Sequence, residues 1–235
     1  MNRPVFFLPD YDPSLQRITL KEDTSKHIVQ VLRMRPGDQL QLTNGKGILL
    51  TAEIIDDHKK KCLVQVNVSD SVLPATRKIT IAISLLKNIN RFEWFLEKAT
   101  EIGVSEIIPL ICQRTEKQKF RLDRMQNILI SAMLQSQQCW FPQLHEPVSF
   151  QQTVKQSHHQ QKFIAHCIEE EKRNLADLIN SDLTSQIILV GPEGDFTKEE
   201  IDLAIHHHFT AVSLGDTRLR AETAGLVAAA ILRIT

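Results

Sequence analysis

The stretch LVGPEGDFTKEE, residues 189–200, sets two glycines, a proline and two acids at the end of an apolar run, residues 187–190. Pro192 suits position i+1 of a type I turn, and Gly194 suits position i+3. Thr197 followed by Glu200 has the spacing of a capping box and predicts a helix over 197–207. A strand, a tight turn and a helix start therefore meet here. Either this is a plain connection, or the backbone is laid bare for a ligand at the carboxyl end of a strand, where open α/β sheets bind. Charge restricts that ligand. Glu193 and Asp195 stand where a phosphate loop presents amides and cations, so a neutral or cationic ligand fits better.

Two more apolar strands end in small or polar residues: AHC at 165–167 and SLGDTRLRAETAG at 213–225. With VGPEG at 190–194 they make three strand ends that can form one site. A dinucleotide GxGxxG, a P-loop and a GxSxG nucleophile turn are all absent from the sequence. Cys62, Cys112, Cys139 and Cys167 are far apart and form no CxxC, which argues against zinc and against a disulfide framework. His206, His207 and His208 are consecutive, so they point around a helix instead of converging on a metal. His158 and His159, in a Gln-rich polar stretch, are expected to face solvent.

A chain of 235 residues with 42% hydrophobic residues suits one large domain or two small ones. Formal charge is zero, so no global basic field announces nucleic acid. Residues 1–78 carry 12 Lys and Arg against 9 Asp and Glu, and the remainder is acidic by the same margin. Arg114, Lys117, Lys119, Arg121 and Arg124 form a basic cluster that reads either as a solvated face or as an RNA contact. No secretory h-region or membrane-length apolar run is present, and free cysteines suit a reducing compartment, so a cytoplasmic protein is expected.

The elements that must position these residues fall into two rhythms. Residues 1–70 read as short alternating strands with an NGKG hairpin at 44–47 and one helix near 24–33, with Thr24 as its cap. The sum is a small β-barrel-like module. Residues 71–78 read as a linker. From 79 to 235, strands alternate with helices, which implies a parallel sheet covered on both faces. Asn90 and Glu93 are expected to cap a helix that Gly103 ends. Further helices are expected at 121–138, around 172–180 and over the Ala-rich 221–234.

ILVGPEGDFTKEEIDLA and SLGDTRLRAETAGLVA, supported by EKATEIGV at 97–104 and HIVQVLRMRPGDQLQLTNGKG at 27–47, resemble the RsmE family of 16S ribosomal RNA uracil-N3 methyltransferases in the SPOUT class. The resemblance covers essentially the whole chain. It implies a trefoil-knotted α/β domain behind an N-terminal PUA-like, RNA-binding domain, a homodimer, and S-adenosylmethionine bound without metal. The cofactor would lie among the three strand ends, against His166, Cys167, Leu189, Val190, Gly191, Pro192, Gly194, Ser213, Leu214, Gly215, Leu219, Thr223 and Ala224. The substrate would be 16S rRNA in the small subunit. A SPOUT enzyme acting on tRNA and a non-catalytic RNA-binding protein are the alternatives. Two departures stand out. The family usually has glycine where Asp195 stands, and its Glu-Gln-Ser-Gly-Arg helix motif here reads LQSQQ at 134–138.

Uracil N3 must lose its proton as it is methylated, so a cation on a carbonyl oxygen would stabilise the developing anion. Arg220 and Arg218 are the candidates, with an ion pair to Glu222 as their structural alternative. Glu193 is a candidate proton acceptor, or else a charge favoured by the adjoining helix start. Arg33, Arg35, Arg114, Lys117 and Arg121 are the candidates for RNA contact.

Overall fold

A computed structural model describes residues 3–116, 119–169 and 171–234. The chain divides into two compact units. One runs to Pro74 and includes Met133–Phe141; the other comprises Ala75–Ala132 and the chain from Pro142 onward. The LQSQQ segment therefore belongs with the first unit, although it lies within the range expected for the second domain.

In the first unit, strands β1 (Val5–Phe7), β2 (Arg17–Thr19), β3 (Gln39–Thr43), β4 (Ile48–Asp56) and β5 (Leu63–Ser71) form one sheet in the order β1-β3-β4-β5-β2. Period-two alternation buries Leu40, Leu42, Leu50, Ala52, Ile54 and Val64 on one face, with Ile28 packed against them. The NGKG turn joins β3 to β4 as expected, and the Asn44 side chain accepts the Lys46 and Ile48 N–H groups.

The helix expected at 24–33 begins and ends two residues earlier. It comprises α1 (Glu22–Lys26) and a π turn over His27–Val31. Thr24 is not its cap. Lys21 precedes it without a side-chain bond, and Ser25 is the residue engaged, donating to Leu20 O and accepting the Cys62 N–H.

The second unit carries β6 (Lys78–Ser84), α2 (Ile89–Ile102), β7 (Glu106–Ile111), α3 (Leu122–Gln135), β8 (Gln143–Leu144), β9 (Val148–Ser149) and α4 (Phe150–Gln156). The last turn of α3 is the part that clusters with the first unit. Then follow β10 (Gln161–Ala165), β11 (Arg173–Asn174), β12 (Ser185–Val190), α5 (Lys198–His206), β13 (Thr210–Ser213) and α6 (Ala221–Ile234). The sheet order is β11-β13-β10-β12-β6-β7-β8, with β9 also on β7, and every pairing is parallel. Alternate strand residues face opposite layers. Ala82, Ile187 and Leu189 join Phe150, Phe196 and Ile201 beneath α4 and α5. Ile83 points toward Gly225 of α6, where a Cβ would sit 2.7 Å from the Phe95 ring of α2. The Ala-rich helix thus packs closely within its own unit.

Several element ends differ from expectation for local reasons. Asn88, not Asn90, caps α2 by accepting the Asn90 N–H, and Glu93 is held by Arg124 at 2.6 Å. Gly103 does end α2, at φ 88°, a left-handed position that favours glycine. The 172–180 segment is a short strand and a 3-10 turn over Leu175–Leu178. Gln137 takes φ 57° just after α3, a left-handed position that favours glycine. His159 is not at the surface; its side chain is 15% exposed and meets the Thr80 hydroxyl.

Candidate functional site

The last rung between β10 and β12 pairs Ala165 with Val190. Beyond it the two chains separate, and a cleft opens at the carboxyl ends of β10, β12 and β13. It consists of two cavities. One, of about 390 Å3, is lined by Val190, Gly191, Pro192, Glu193 and Asp195 from the loop after β12, and by Arg218, Arg220 and Ala221 near α6. The other, of about 460 Å3, is lined by His166, Glu169 and Lys172 after β10 and by Ser213, Leu214, Gly215, Asp216 and Thr217 after β13. Ala165, Cys167, Arg218, Leu219 and Ala224 line both. The cleft walls are small residues and backbone with a few convergent charges, the composition of a small-molecule site.

The loop after β12 closes by a hydrogen bond from Asp195 N to Pro192 O at 2.9 Å. Pro192 therefore occupies the first position of the turn, not the second, and Glu193 and Gly194 are its central residues. Asp195 then turns the chain at φ 63°. That conformation costs a non-glycine residue about 1–2 kcal/mol. Here both carboxylate oxygens are engaged. Oδ1 accepts the Phe196 N–H at 2.8 Å, and Oδ2 accepts the Cys167 N–H at 2.8 Å. Bonds to a charged acceptor contribute about 1.5–3 kcal/mol each before solvent screening, enough to offset the backbone cost. After this turn Phe196 enters the core against Phe150, and Thr197 and Glu200 form the expected capping box.

Other long-range contacts clamp the same loop. Glu193 Oε1 accepts the Lys87 N–H at 3.0 Å. Glu200 Oε1 accepts the Gln113 N–H at 2.8 Å. Arg114 Nη1 donates to Gly194 O at 2.6 Å and to Phe196 O at 3.5 Å. Arg114 was expected at RNA; the structure places its guanidinium on this loop. Gly191 is in a tight place, because a Cβ there would press on the Phe196 nitrogen and ring at 3.2 Å. Gly215, at φ 128°, is required for conformation. Across the cleft, the Lys172 ammonium donates to His166 O at 2.7 Å and Ile168 O at 2.6 Å, tying down the chain beyond β10.

The sequence expectations sort accordingly. His166, Cys167, Val190, Gly191, Pro192, Ser213, Leu214, Gly215, Leu219 and Ala224 line the cleft, as do Glu193, Arg218 and Arg220. Leu189 does not; it is fully buried in the core beneath α5. Gly194 and Thr223 line neither cavity. Sequence reasoning missed Lys172, and it read Asp195 as an acid restricting the ligand and as a departure from the family pattern, not as a partner of Cys167. Among the described residues Arg218 and Arg220 are exposed and in no ion pair, and the Glu222 carboxylate faces Arg91 instead. No group of three or more His, Cys, Asp or Glu among the described residues could hold a metal ion.

In the first unit, Arg33 is exposed and left-handed at φ 57°, while Arg35 pairs with Asp57 at 2.9 Å. Arg121 pairs with Asp123 at 2.8 Å on an exposed surface, and Lys117 lies outside the described residues.

Comparison with known proteins gives consistent findings. A model of the RNA methyltransferase domain matches residues 73–233, and one of the RNA methyltransferase PUA domain matches residues 20–67. The chain is 31% identical over 224 residues to the ribosomal RNA small subunit methyltransferase E of Rickettsia conorii, covering 93% of this chain and 90% of that one. The Synechocystis protein of the same name is 33% identical, over 91% of this chain and 71% of its own length. A crystal structure of ribosomal RNA small subunit methyltransferase E from Neisseria gonorrhoeae, bound to S-adenosyl methionine, superposes with a TM-score of 0.87 at 31% identity, covering 97% and 96% of the two chains.

Proposed function

This chain belongs to the RNA methyltransferase family, and we propose that it methylates N3 of a uridine in 16S rRNA of the small ribosomal subunit, using S-adenosylmethionine. The observation that carries this reading is the cleft itself. Three parallel strand ends converge there on backbone-lined space, with two uncommitted guanidinium groups at one side.

The residues present fit the cofactor. The loop after β12 and the chain after β13 offer backbone and small side chains to an adenosyl group, and Gly215 removes a Cβ from one wall. Glu193 and Asp216 place carboxylates on the cleft, which suits a sulfonium and would repel a phosphate. Val190, Gly191, Pro192, Leu214, Leu219 and Ala224 would hold the cofactor. When bound, it supplies an electrophilic methyl group.

The chain's own residues supply the rest. The uridine must be unpaired for N3 to reach the cleft. As N3 gains the methyl group it loses its proton, and negative charge spreads onto the neighbouring carbonyl oxygens. Arg220 donates to one of these oxygens and remains charged throughout. Arg218 is the second candidate for the same task. Glu193, oriented through Oε1 by the Lys87 N–H, is the proton acceptor at the cavity mouth. Arg33 and Arg35 of the first unit, with Lys117 and Arg121 of the second, contact RNA phosphates. Arg114 is reassigned from RNA contact to holding the loop.

We assign residues 1–70 to RNA recognition and 79–235 to catalysis, with 71–78 between them. The resemblance of the two long motifs to the SPOUT class is what supports a trefoil knot in the catalytic part. A homodimer, acting in the cytoplasm on the small subunit, completes the assignment. No helix among the described residues is long and apolar enough to cross a membrane. The test is mass mapping of methylated nucleotides in 16S rRNA from cells with and without the protein. Loss of a single N3-methyluridine on deletion is expected. An unchanged 16S map, or a lost methyl group in tRNA, would overturn the assignment.

A further inference from the structure

We infer that Asp195 is a positioning residue for the cofactor cleft, locking the strand end after β10 to the loop after β12. The inference rests on the reading of this cleft as the S-adenosylmethionine site.

The backbone ladder between β10 and β12 stops at Ala165 and Val190. Cys167 and Asp195 lie past that stop, where nothing in the sheet holds the two chains together. The Asp195 carboxylate closes the gap through the Cys167 N–H. Its reach depends on the left-handed backbone at φ 63°, and the Phe196 N–H on Oδ1 fixes the carboxylate's rotation. Cys167 lines both cavities, so the bond sets a wall common to the whole cleft. Asp195 itself lines only the first cavity. A glycine at this position adopts the turn more readily but cannot make the bond. Asp195 therefore exchanges backbone ease for a side-chain tie. The tie also occupies the Cys167 N–H, so that amide belongs to the cleft's internal bracing and is not offered to the ligand.

Two substitutions separate the tie from the turn and from the charge. Asp195→Gly keeps the left-handed conformation and removes the tie. Asp195→Asn tolerates the same conformation and carries no charge, but its single carbonyl oxygen can accept from the Cys167 N–H or from the Phe196 N–H and not from both. Calorimetry with S-adenosylhomocysteine, amide hydrogen exchange at Cys167 and steady-state methylation are measured on the full chain. Asp195→Gly is expected to bind about 10-fold or more weakly. Its Cys167 amide should exchange faster, and KM for the cofactor should rise more than kcat falls. Asp195→Asn, with its carbonyl oxygen on the Cys167 N–H, should protect that amide more than Asp195→Gly does and should bind with an affinity between that of Asp195→Gly and wild type. Wild-type affinity and unchanged Cys167 exchange in a folded Asp195→Gly protein would overturn the inference while leaving the cofactor reading intact. An Asp195→Asn protein that binds as weakly as Asp195→Gly while its Cys167 amide stays protected would overturn it in favour of a direct charge effect. Failure of the wild-type protein to bind S-adenosylhomocysteine would overturn the cleft assignment and this inference with it.

Discussion

The buried carboxylate of Glu222 is faced by Arg91, whose Nε lies 3.7 Å from Oε1, and not by Arg220 two residues earlier in the chain. Arg220 instead contributes its carbonyl to the first bond of α6, from Ala224 N at 2.7 Å, which fixes its backbone while leaving its guanidinium at the cleft. A structural ion pair with Glu222 is thus not what holds Arg220. Arg220→Lys should leave folding and cofactor affinity within about 3-fold of wild type and lower single-turnover methyl transfer on the order of 100-fold. Rapid-quench measurement at saturating RNA checks this. A near wild-type rate would remove Arg220 from the mechanism and make Arg218 the residue to test.

The two glycines of the GPEG turn should respond differently to the same substitution. At Gly191, a Cβ presses on the Phe196 nitrogen and ring at 3.2 Å, and Phe196 is itself fully packed. Overpacking of this kind costs about 1–3 kcal/mol. At Gly194, the nearest atom is the Arg114 Cδ at 3.4 Å, an ordinary contact with an adaptable side chain. Gly191→Ala should therefore lower Tm by several degrees and weaken cofactor binding, whereas Gly194→Ala should stay near wild type in both. The opposite ranking in thermal melts would show that the loop adopts another conformation.

What the sequence made legible was local. The strand before Gly191, the capping box at Thr197 and Glu200, the stop at Gly103 and the hairpin at Asn44 each depend on residues within a few positions of one another. The bonds that shape the cleft are not local. Asp195 meets Cys167 across 28 positions, Arg114 meets Gly194 across 80, and Glu193 meets Lys87 across 106. No periodicity or spacing encodes such partners. Arg114 looked like one member of a basic cluster for this reason. His159 was misread in the same way, because its polar neighbours suggest solvent while its partner Thr80 is 79 positions away.

Arg33 offers a test of RNA contact that separates charge from fold. Its left-handed backbone is unfavourable for arginine by about 1 kcal/mol and costs glycine nothing. Arg33→Gly should therefore keep or slightly raise Tm. If Arg33 neutralises a phosphate, the same protein should bind ribosomal RNA more weakly, with the slope of log affinity against log salt reduced by about 0.7–0.9. An unchanged slope would exclude the phosphate contact. Arg35→Ala is a less clean probe, since it also breaks the exposed pair with Asp57.

The final prediction concerns acid stability and rests on a buried network at the amino ends of β6 and β7. Glu106 accepts from the Thr80 hydroxyl at 2.9 Å and the Lys78 ammonium at 2.8 Å, and lies 2.6 Å from His145 Nε2. Because the Thr80 hydrogen goes to Glu106, His159 Nε2 must donate to Thr80, and its Nδ1 can accept from Ser157 at 3.1 Å. Both ring nitrogens are thus satisfied in the neutral form. Burial, reinforced by Lys78, Lys162 and His158, holds the His159 pKa below its ordinary value despite the opposing charge of Glu106. For Glu106, burial opposes ionisation, but Lys78, His145 and Thr80 outweigh it and hold the carboxyl below its ordinary value. Both shifts make the unfolded chain take up protons more readily than the native one, so stability falls as pH falls. The His159 contribution is present above about pH 6.5 and is lost progressively below it; that of Glu106 is present above about pH 4.3 and is lost as pH drops through its lower native value. Tm measured across this range should decline in those two stages. His159→Gln, which retains a donor and an acceptor, should flatten the first stage and leave the second. Persistence of the first stage in that variant would assign it to another histidine.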